Sequence, residues 1–406
     1  MTKAVAVAVA LLLVCSLPAM FVVGATERAS QPSSDALATG AVADDHHENT
    51  TSRLSLPGET ESEYPSTSPD FAATLGADDT ALRDEQNRYR VDHEWASLTN
   101  QERVDLLETV SADSLERVET LEREEQAAID AYLAGELDDR ALIRTLVQID
   151  HEAGSLAETL ATLESRGEPV AGFSTEELEG AMAELDTRQG PVRELAAQRL
   201  YGVDDEPRTT LSTVGTDGVV LSTIDGSQYL REASQFDNRD RSLSPVLESN
   251  RDGLDAAAEL YPWVFDGQDA HPRTDTSYFG SHQLIFIDVR HPQGQLLTYL
   301  DTGTADPFRE VQRLSLDSLP THPVDETWEN DSIALSVNET PHDGPIELTV
   351  TDPETGEPVD ADVRIDGAEV GETGDDGTLW LPVPPTVYEL TVESDDATID
   401  ATLDGG

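Results

Sequence analysis

The stretch TLSTVGTDGVVLSTIDGSQYLREASQ, residues 210–235, is where the chain changes its periodicity. Three runs, Leu211 to Val214, Val219 to Ile224 and Tyr229 to Ala233, are separated by Gly215-Thr216-Asp217-Gly218 and by Asp225-Gly226. A period of two broken by Gly and Asp predicts a three-strand antiparallel meander. Beyond it, Ser244-Pro245 opens a helical region that Gly253 restarts, with Leu254, Ala257, Ala258 and Tyr261 on one face. Strands resume at Gln283 to Val289, turn at His291-Pro292-Gln293-Gly294, and continue as Gln295 to Asp301 and Phe308 to Leu316. Residues 208–325 thus read as an α+β domain, a sheet with one helix laid on it.

Upstream the period is helical. Thr99 with Glu102 and Ser174 with Glu177 have the spacing of capping boxes. Leu142, Leu146, Ile149, Ala153, Leu156, Leu160 and Leu163 alternate spacings of four and three, as in a coiled-coil seam. The bend at 135–139 makes this the second arm of a hairpin, and Val104, Leu107, Leu115, Val118, Ile129 and Tyr132 share a face of the first. Helices at 77–96, 175–189 and 191–201 have apolar faces to pack against it, so residues 77–202 are expected to form a helical bundle. His93 and His151 sit beside carboxylates on helix faces and lack a second histidine at ligand spacing, so both read as solvated.

Downstream, Ile333, Leu335 and Val337 alternate, as do Ile346, Leu348 and Val350. Further short runs at 363–365, 377–381, 387–392 and 399–403, punctuated by Gly, Asp and Pro, make residues 331–403 a β-sandwich. The fold class expected is therefore multidomain: an N-terminal α-helical hairpin or bundle, a central α+β domain and a C-terminal β-sandwich.

The beginning of the chain reads differently. Residues 4–23 are almost wholly apolar behind Lys3, and Val23-Gly24-Ala25 offers a cleavage site, so residues 1–25 read as a signal peptide or as an uncleaved anchor. The lone cysteine, Cys15, lies within it, which leaves the rest of the chain without thiol chemistry. Residues 26–76, rich in Ser, Thr, Pro and Glu, read as a disordered stalk. Asn49, Asn330 and Asn338 open glycosylation sequons placed in linkers or at domain edges.

Charge locates the chain further. Against 82 acids stand 24 arginines and one lysine, a net charge of −57. Such a surface repels phosphates, so nucleic acid is excluded as a partner. Self-repulsion of this size is tolerable where the screening length has shrunk to roughly 3 Å, near 1 M salt. In this the chain resembles proteins of extremely halophilic archaea. The strings LYPWVFD at 260–266, DVRHPQGQLLTYLDTGT at 288–304 and FREVQRLSLDSLP at 308–320 resemble a module of exported haloarchaeal multidomain proteins of uncharacterised function. Residues 355–393, from TGEPV through the Asp-Gly turn to Pro-Pro-x-x-Tyr, resemble carboxypeptidase regulatory-like, transthyretin-like sandwiches. That resemblance implies a structural or interaction unit without an active site.

Few residues carry chemistry. His282, Asp288 and His291 offer acid and base groups, with Arg290 and Arg309 nearby, yet no nucleophile elbow or phosphate loop accompanies them. Tyr261, Trp263, Phe265, Tyr278, Phe279 and Phe286 concentrate aromatics and read as core or as a ligand site. Asp375 and Asp376 are weak calcium candidates, because no 12-residue ligand loop surrounds them. Nothing calls for a cofactor. The expectation is an exported cell-envelope or extracellular structural or interaction protein without catalysis, partnered by an envelope protein or glycan, touching the membrane only through residues 4–23 if these stay uncleaved, and self-associating through the helical arm. The alternatives are a secreted hydrolase with its site in 263–291, or a ligand-sensing ectodomain on an uncleaved helix.

Unscreened carboxylates should drive partial unfolding in dilute buffer. The melting midpoint should climb as sodium chloride rises to molar concentration; a midpoint that stays level across that range contradicts the halophilic reading.

Overall fold

The computed structural model describes residues 53–204, 208–265, 273–342, 344–395 and 397–405. The leader, the sequon at Asn49, the stalk before residue 53 and residues 266–272 lie outside the described residues.

Five helices follow a short strand: β1 (Thr60–Glu63), α1 (Phe71–Glu94), α2 (Asn100–Leu133), α3 (Asp139–Gly167), α4 (Glu176–Asp186) and α5 (Pro191–Leu200). Their starts are built locally. The Asp70 carboxylate accepts the Ala72 and Ala73 N–H groups, Thr99 and Glu102 close a reciprocal capping box, and Asp138 accepts from Ala141. Pro191 occupies the first turn of α5, where its missing N–H is harmless. The expected box at Ser174 is absent: α4 is capped one residue later at Thr175, without a side-chain bond, and three glutamates in its first turn face the positive end of the helix dipole. The heptad residues of α3 are buried: Ile149 to Leu163 pack with Val91 of α1, Leu107 and Val110 of α2 and Leu178, Ala181 and Leu185 of α4, while Leu142 and Leu146 join Ile129 and Tyr132 of α2 and Val192 of α5.

The stalk expectation fails over 53–76. Leu54 is buried, Thr60–Glu63 is a strand and α1 already begins at Phe71. With few apolar side chains of its own, this strap is held through its backbone. The Leu54 N–H donates to Glu310 Oε2 at 2.8 Å, its carbonyl accepts from Arg231 Nη2 at 2.6 Å, and β1 pairs along its length with the next strand.

That strand is β2 (Thr210–Gly215), followed by β3 (Gly218–Asp225) and β4 (Gln228–Gln235). After helices α6 (Asn250–Leu260) and α7 (Pro262–Phe265) come β5 (Arg273–Phe279), β6 (Leu284–His291), β7 (Gly294–Asp301) and β8 (Pro307–Ser315). They form one eight-stranded sheet in the order β1-β2-β3-β4-β8-β7-β6-β5, antiparallel at every pairing. Two four-strand meanders thus meet back to back at β4 and β8, and the helical bundle is an insertion between β1 and β2.

Both faces of the sheet are covered, where one helix was expected. On one face Ala128, Ile129 and Tyr132 of α2 and Val192, Ala196 and Leu200 of α5 share a core with Val214, Val219, Leu221 and Leu230. On the other, Ala257, Tyr261 and Val264 pack on Ile285, Ile287, Val289, Leu296 and Leu300. Bundle and sheet consequently have one continuous interior.

The C-terminal strands are β9 (His322–Pro323), β10 (Trp328–Glu329), β11 (Ala334–Glu339), β12 (Ile346–Thr351), β13 (Asp362–Ile365), β14 (Ala368–Glu372), β15 (Thr378–Leu381), β16 (Tyr388–Glu393) and β17 (Thr398–Leu403). One sheet runs β10-β11-β12-β15 with β9 beside β11, and the other β14-β13-β16-β17. Their inward residues, among them Leu335, Leu348, Val363 and Leu390, enclose a separate core. The β13–β14 hairpin turns on Asp366 and Gly367, both with positive φ, as a two-residue turn that follows strand twist requires. Tyr64 Oη donates to the Pro382 carbonyl and Arg53 to the carbonyls of Pro341 and His342, so the strap also ties the sandwich to the sheet.

Candidate functional site

The residues singled out above do not converge. Asp288 is on the bundle side of β6, two residues from Phe286, and accepts a hydrogen bond from Gln295 at 2.8 Å. His291 shares the opposite face with Val289; it is buried without a hydrogen-bond partner on either ring nitrogen, and burial pushes its pKa down to about 4. His282 lies beyond the other end of the strand, with Nδ1 3.4 Å from Glu184 Oε1 and its ring seated against Gly180. The described part of 263–291 therefore holds no acid–base constellation.

The aromatics divide as well: Tyr261, Phe265 and Tyr278 belong to the core between the α6–α7 pair and the sheet, while Phe279 and Phe286 face the bundle. Asp375 and Asp376 are exposed in a single turn, and among the described residues no three His, Cys, Asp or Glu side chains are grouped to hold a metal. Asn330 is half-buried with its amide donating to the Thr398 carbonyl, and Asn338 is inside β11, not at a domain edge, donating to Glu347. The hydroxyl of its sequon partner Thr340 is buried against the Pro345 carbonyl. His151 stands edge-on to Tyr201 and is half-buried, less solvated than a helix face suggests.

What the fold does assemble is charge. The central strands each carry an Arg-Glu dipeptide, Arg231-Glu232 on β4 and Arg309-Glu310 on β8, and alternation sends the two members of each to opposite faces. The antiparallel register then makes one ion pair per face. Arg231 Nη1 meets Glu310 Oε1 at 2.9 Å on the side of α6, and Arg309 Nη2 meets Glu232 Oε2 at 3.4 Å on the bundle side. Glu310 also accepts from Tyr261 Oη at 2.9 Å and from Gln312 at 3.0 Å.

On the bundle side the network grows. Arg193 of α5, fully buried, bridges Glu232 at 3.0 Å to Glu125 of α2 at 2.6 Å. Arg309 donates to the Gln189 carbonyl at 2.7 Å, and a Cβ at Gly190 would lie 1.4 Å from Glu232 Oε2, so no larger residue fits there. Arg188 stands 3.5 Å from Glu122 and 3.7 Å from Glu125. Arg239 embraces Glu184 with both terminal nitrogens, and Arg241 reaches Glu122 and Glu184 at 3.0 and 3.3 Å. Burial acts to raise the Glu184 carboxyl, but the Arg239 and His282 hydrogen bonds prevail and hold it well below the usual carboxylate range. Asp150 of α3 behaves oppositely: burial pushes it up to about 7, although it accepts the Gly190 N–H at 2.9 Å.

Within this cluster is a cavity of about 130 Å³ lined by Arg188, Arg239, Arg241, Arg309, Glu122 and Glu125, with Phe236 and Phe308 among its walls. Of this set only Arg309 stands out in the sequence. The available signal was an Arg-Glu dipeptide in the middle of an apolar strand, where both faces must be buried.

A second feature lies on α1. Phe71, Leu75, Leu82 and Tyr89 are 77, 51, 56 and 64% exposed and fall on one helix face at spacings of four, seven and seven. Ala73, Ala77 and Val91, on the opposite side, are buried.

Helical bundle, sheet and sandwich define a multidomain protein, α then β, ending in a fibronectin-III-like domain. Residues 1–205 match the family described as a domain of unknown function, DUF7096, and the chain belongs to that family. Residues 212–320 match a second family of unknown function, DUF7094, and residues 324–401 an archaeal fibronectin-III type-like domain, which supports an archaeal source. No curated protein and no solved structure matches the chain significantly. The first two matches meet between α5 and β2, yet β1 from the first pairs with β2 from the second, so the two share one sheet.

Glu310→Gln leaves Arg231 charged, buried and uncompensated. It should cost roughly 3–5 kcal/mol, read from the denaturant midpoint in molar salt. Asp150 has a folded pKa above its unfolded value, so the folded state binds the extra proton. Its effect is to lower stability as pH rises from about 4 to about 7, with no further change above. Asp150→Asn should remove that slope, measured as the difference between wild-type and variant midpoints across the window.

Proposed function

We propose that this is an exported protein of the envelope or exterior of a halophilic archaeon, a scaffold whose work is contact, and that two copies associate through the outer face of α1. The exposed seam Phe71, Leu75, Leu82 and Tyr89 carries the reading, because four large apolar side chains in register on one helix mark an interaction surface in a chain otherwise dressed in carboxylate. The seam is self-complementary about Thr80: antiparallel pairing sets Phe71 on Tyr89, Leu75 on Glu85 and Asp78 on Leu82, so every layer has an apolar side chain on at least one copy. Asp78 and Glu85 in the seam make the association salt-requiring.

The apolar run at 4–23 and the composition support export and a saline setting. The resemblance of residues 355–393 to carboxypeptidase regulatory-like modules accords with an interaction role. Catalysis forms no part of the proposal, since His282, Asp288 and His291 stand apart.

In molar sodium chloride the purified chain should show twice the single-chain mass by light scattering at micromolar concentration, and a Leu75→Glu, Leu82→Glu double variant the single-chain mass. A single-chain mass for the wild type at all concentrations rejects association. Location is checked separately by the mass of the native N-terminus recovered from envelope and medium.

A further inference from the structure

We propose that the arginine-lined cavity between the helical bundle and the sheet is a binding site for a small oxyanion: phosphate, sulfate or a single carboxylate group. Four guanidinium groups line it, those of Arg188, Arg239, Arg241 and Arg309, against two carboxylates, Glu122 and Glu125. Four other cavities among the described residues have one arginine each. In a chain with 25 basic side chains against 82 acidic ones, four at one small cavity is a concentration that surface solvation does not explain.

Geometry favours an anion over an empty ionic cluster. The side chains of Arg188, Arg239 and Arg309 are 6, 6 and 1% exposed, and none of their buried Nε–H groups makes a hydrogen bond: Arg188 Nε is 3.7 Å from Glu125 and Arg239 Nε 4.0 Å from Asp301, both beyond hydrogen-bond reach, and Arg309 Nε has no acceptor. Buried charged donors normally find a partner, and an acceptor inside the cavity would supply one. Counting the surrounding Arg193 and the carboxylates Glu184, Glu232 and Asp301, five cations meet five anions, so the cluster as a whole is balanced. The balance is uneven in space: Glu184, Glu232 and Asp301 are not among the lining residues, so the cavity wall itself is positive.

One wall is partly aromatic. The Arg239 guanidinium carbon lies over Phe308, 4.4 Å from the ring centre, and its terminal nitrogens are held by Glu184, so this cation is fixed in place beside the cavity. A volume near 130 Å³ is below the roughly 300 Å³ at which pockets begin to accept drug-sized ligands, which limits the occupant to a group of a few atoms. Arg241, with a side chain 45% exposed, stands at the mouth.

The test titrates sodium phosphate, sodium sulfate or sodium acetate into the full chain by calorimetry and thermal melting, replacing chloride at constant ionic strength and pH. Arg241→Gln is the variant, because its half-exposed side chain can be shortened without opening the core. At least one oxyanion should bind saturably to the wild type and at least tenfold more weakly to Arg241→Gln. Saturation by phosphate or sulfate points to a free inorganic ion, and saturation by acetate alone to a carboxylate presented by another molecule. The proposal is overturned if no oxyanion saturates, or if the variant gains the same stability as the wild type, which is the behaviour of an excluded salt acting on the whole surface.

Discussion

Two Arg-Glu dipeptides on adjacent antiparallel strands set a condition the rest of the molecule must meet. A strand in the middle of a sheet covered on both faces has no solvated side to which a charge can turn, so each dipeptide buries a cation on one face and an anion on the other. Register brings opposite charges together across β4 and β8, once per face. Bare pairing leaves lone pairs and N–H groups over, and these are met by whatever packs against that face. Tyr261 and the Leu54 backbone serve Glu310 and Arg231 on one side; Arg193 and the Gln189 carbonyl serve Glu232 and Arg309 on the other. The strap, the α6–α7 pair and the bundle are thereby specified in position by hydrogen bonds that an apolar interface would not demand.

The same logic explains why the buried cations are arginines. A guanidinium offers five donors in a planar fork and stays charged when desolvated, so Arg193 can bridge two carboxylates and a carbonyl at once. Lysine, a point charge that loses its proton more readily on burial, would serve fewer of these partners. The described arginines thus include surface pairs such as Arg83 with Asp79, worth little, and an interior group on which the junction of bundle and sheet depends.

Legibility in the sequence followed solvent contrast. The meander at 210–235 could be read because Gly-Asp turns punctuate a period of two, and α3 because its apolar residues keep a strict heptad to the end. The edge strands could not. The Thr-Glu-Ser-Glu of β1 contains no apolar residue, and the Arg-Thr-Asp-Thr opening of β5 has none before Tyr278; both are strands by virtue of the neighbour whose backbone they pair with. Phe71 and Leu75 read as part of a stalk because Ser, Thr and Pro precede them, which hides the seam on α1. The arginine cavity is invisible for a different reason: its members come from α2, the α4–α5 link, β4 and its following turn, and β8, and only the packing of bundle on sheet brings them together.

Salt and structure then act on different layers of the molecule. Surface carboxylates repel over distances that ions screen, so salt concentration governs how readily the acidic exterior tolerates compaction. The central pairs of Arg231 with Glu310 and Arg193 with Glu232 are buried and in direct contact, so bulk salt screens them far less and their strength is set mainly by geometry. A chain built this way can carry a net charge of −57 and still define one arrangement of its parts, because the charges that choose the arrangement are hidden from the solvent that the others require.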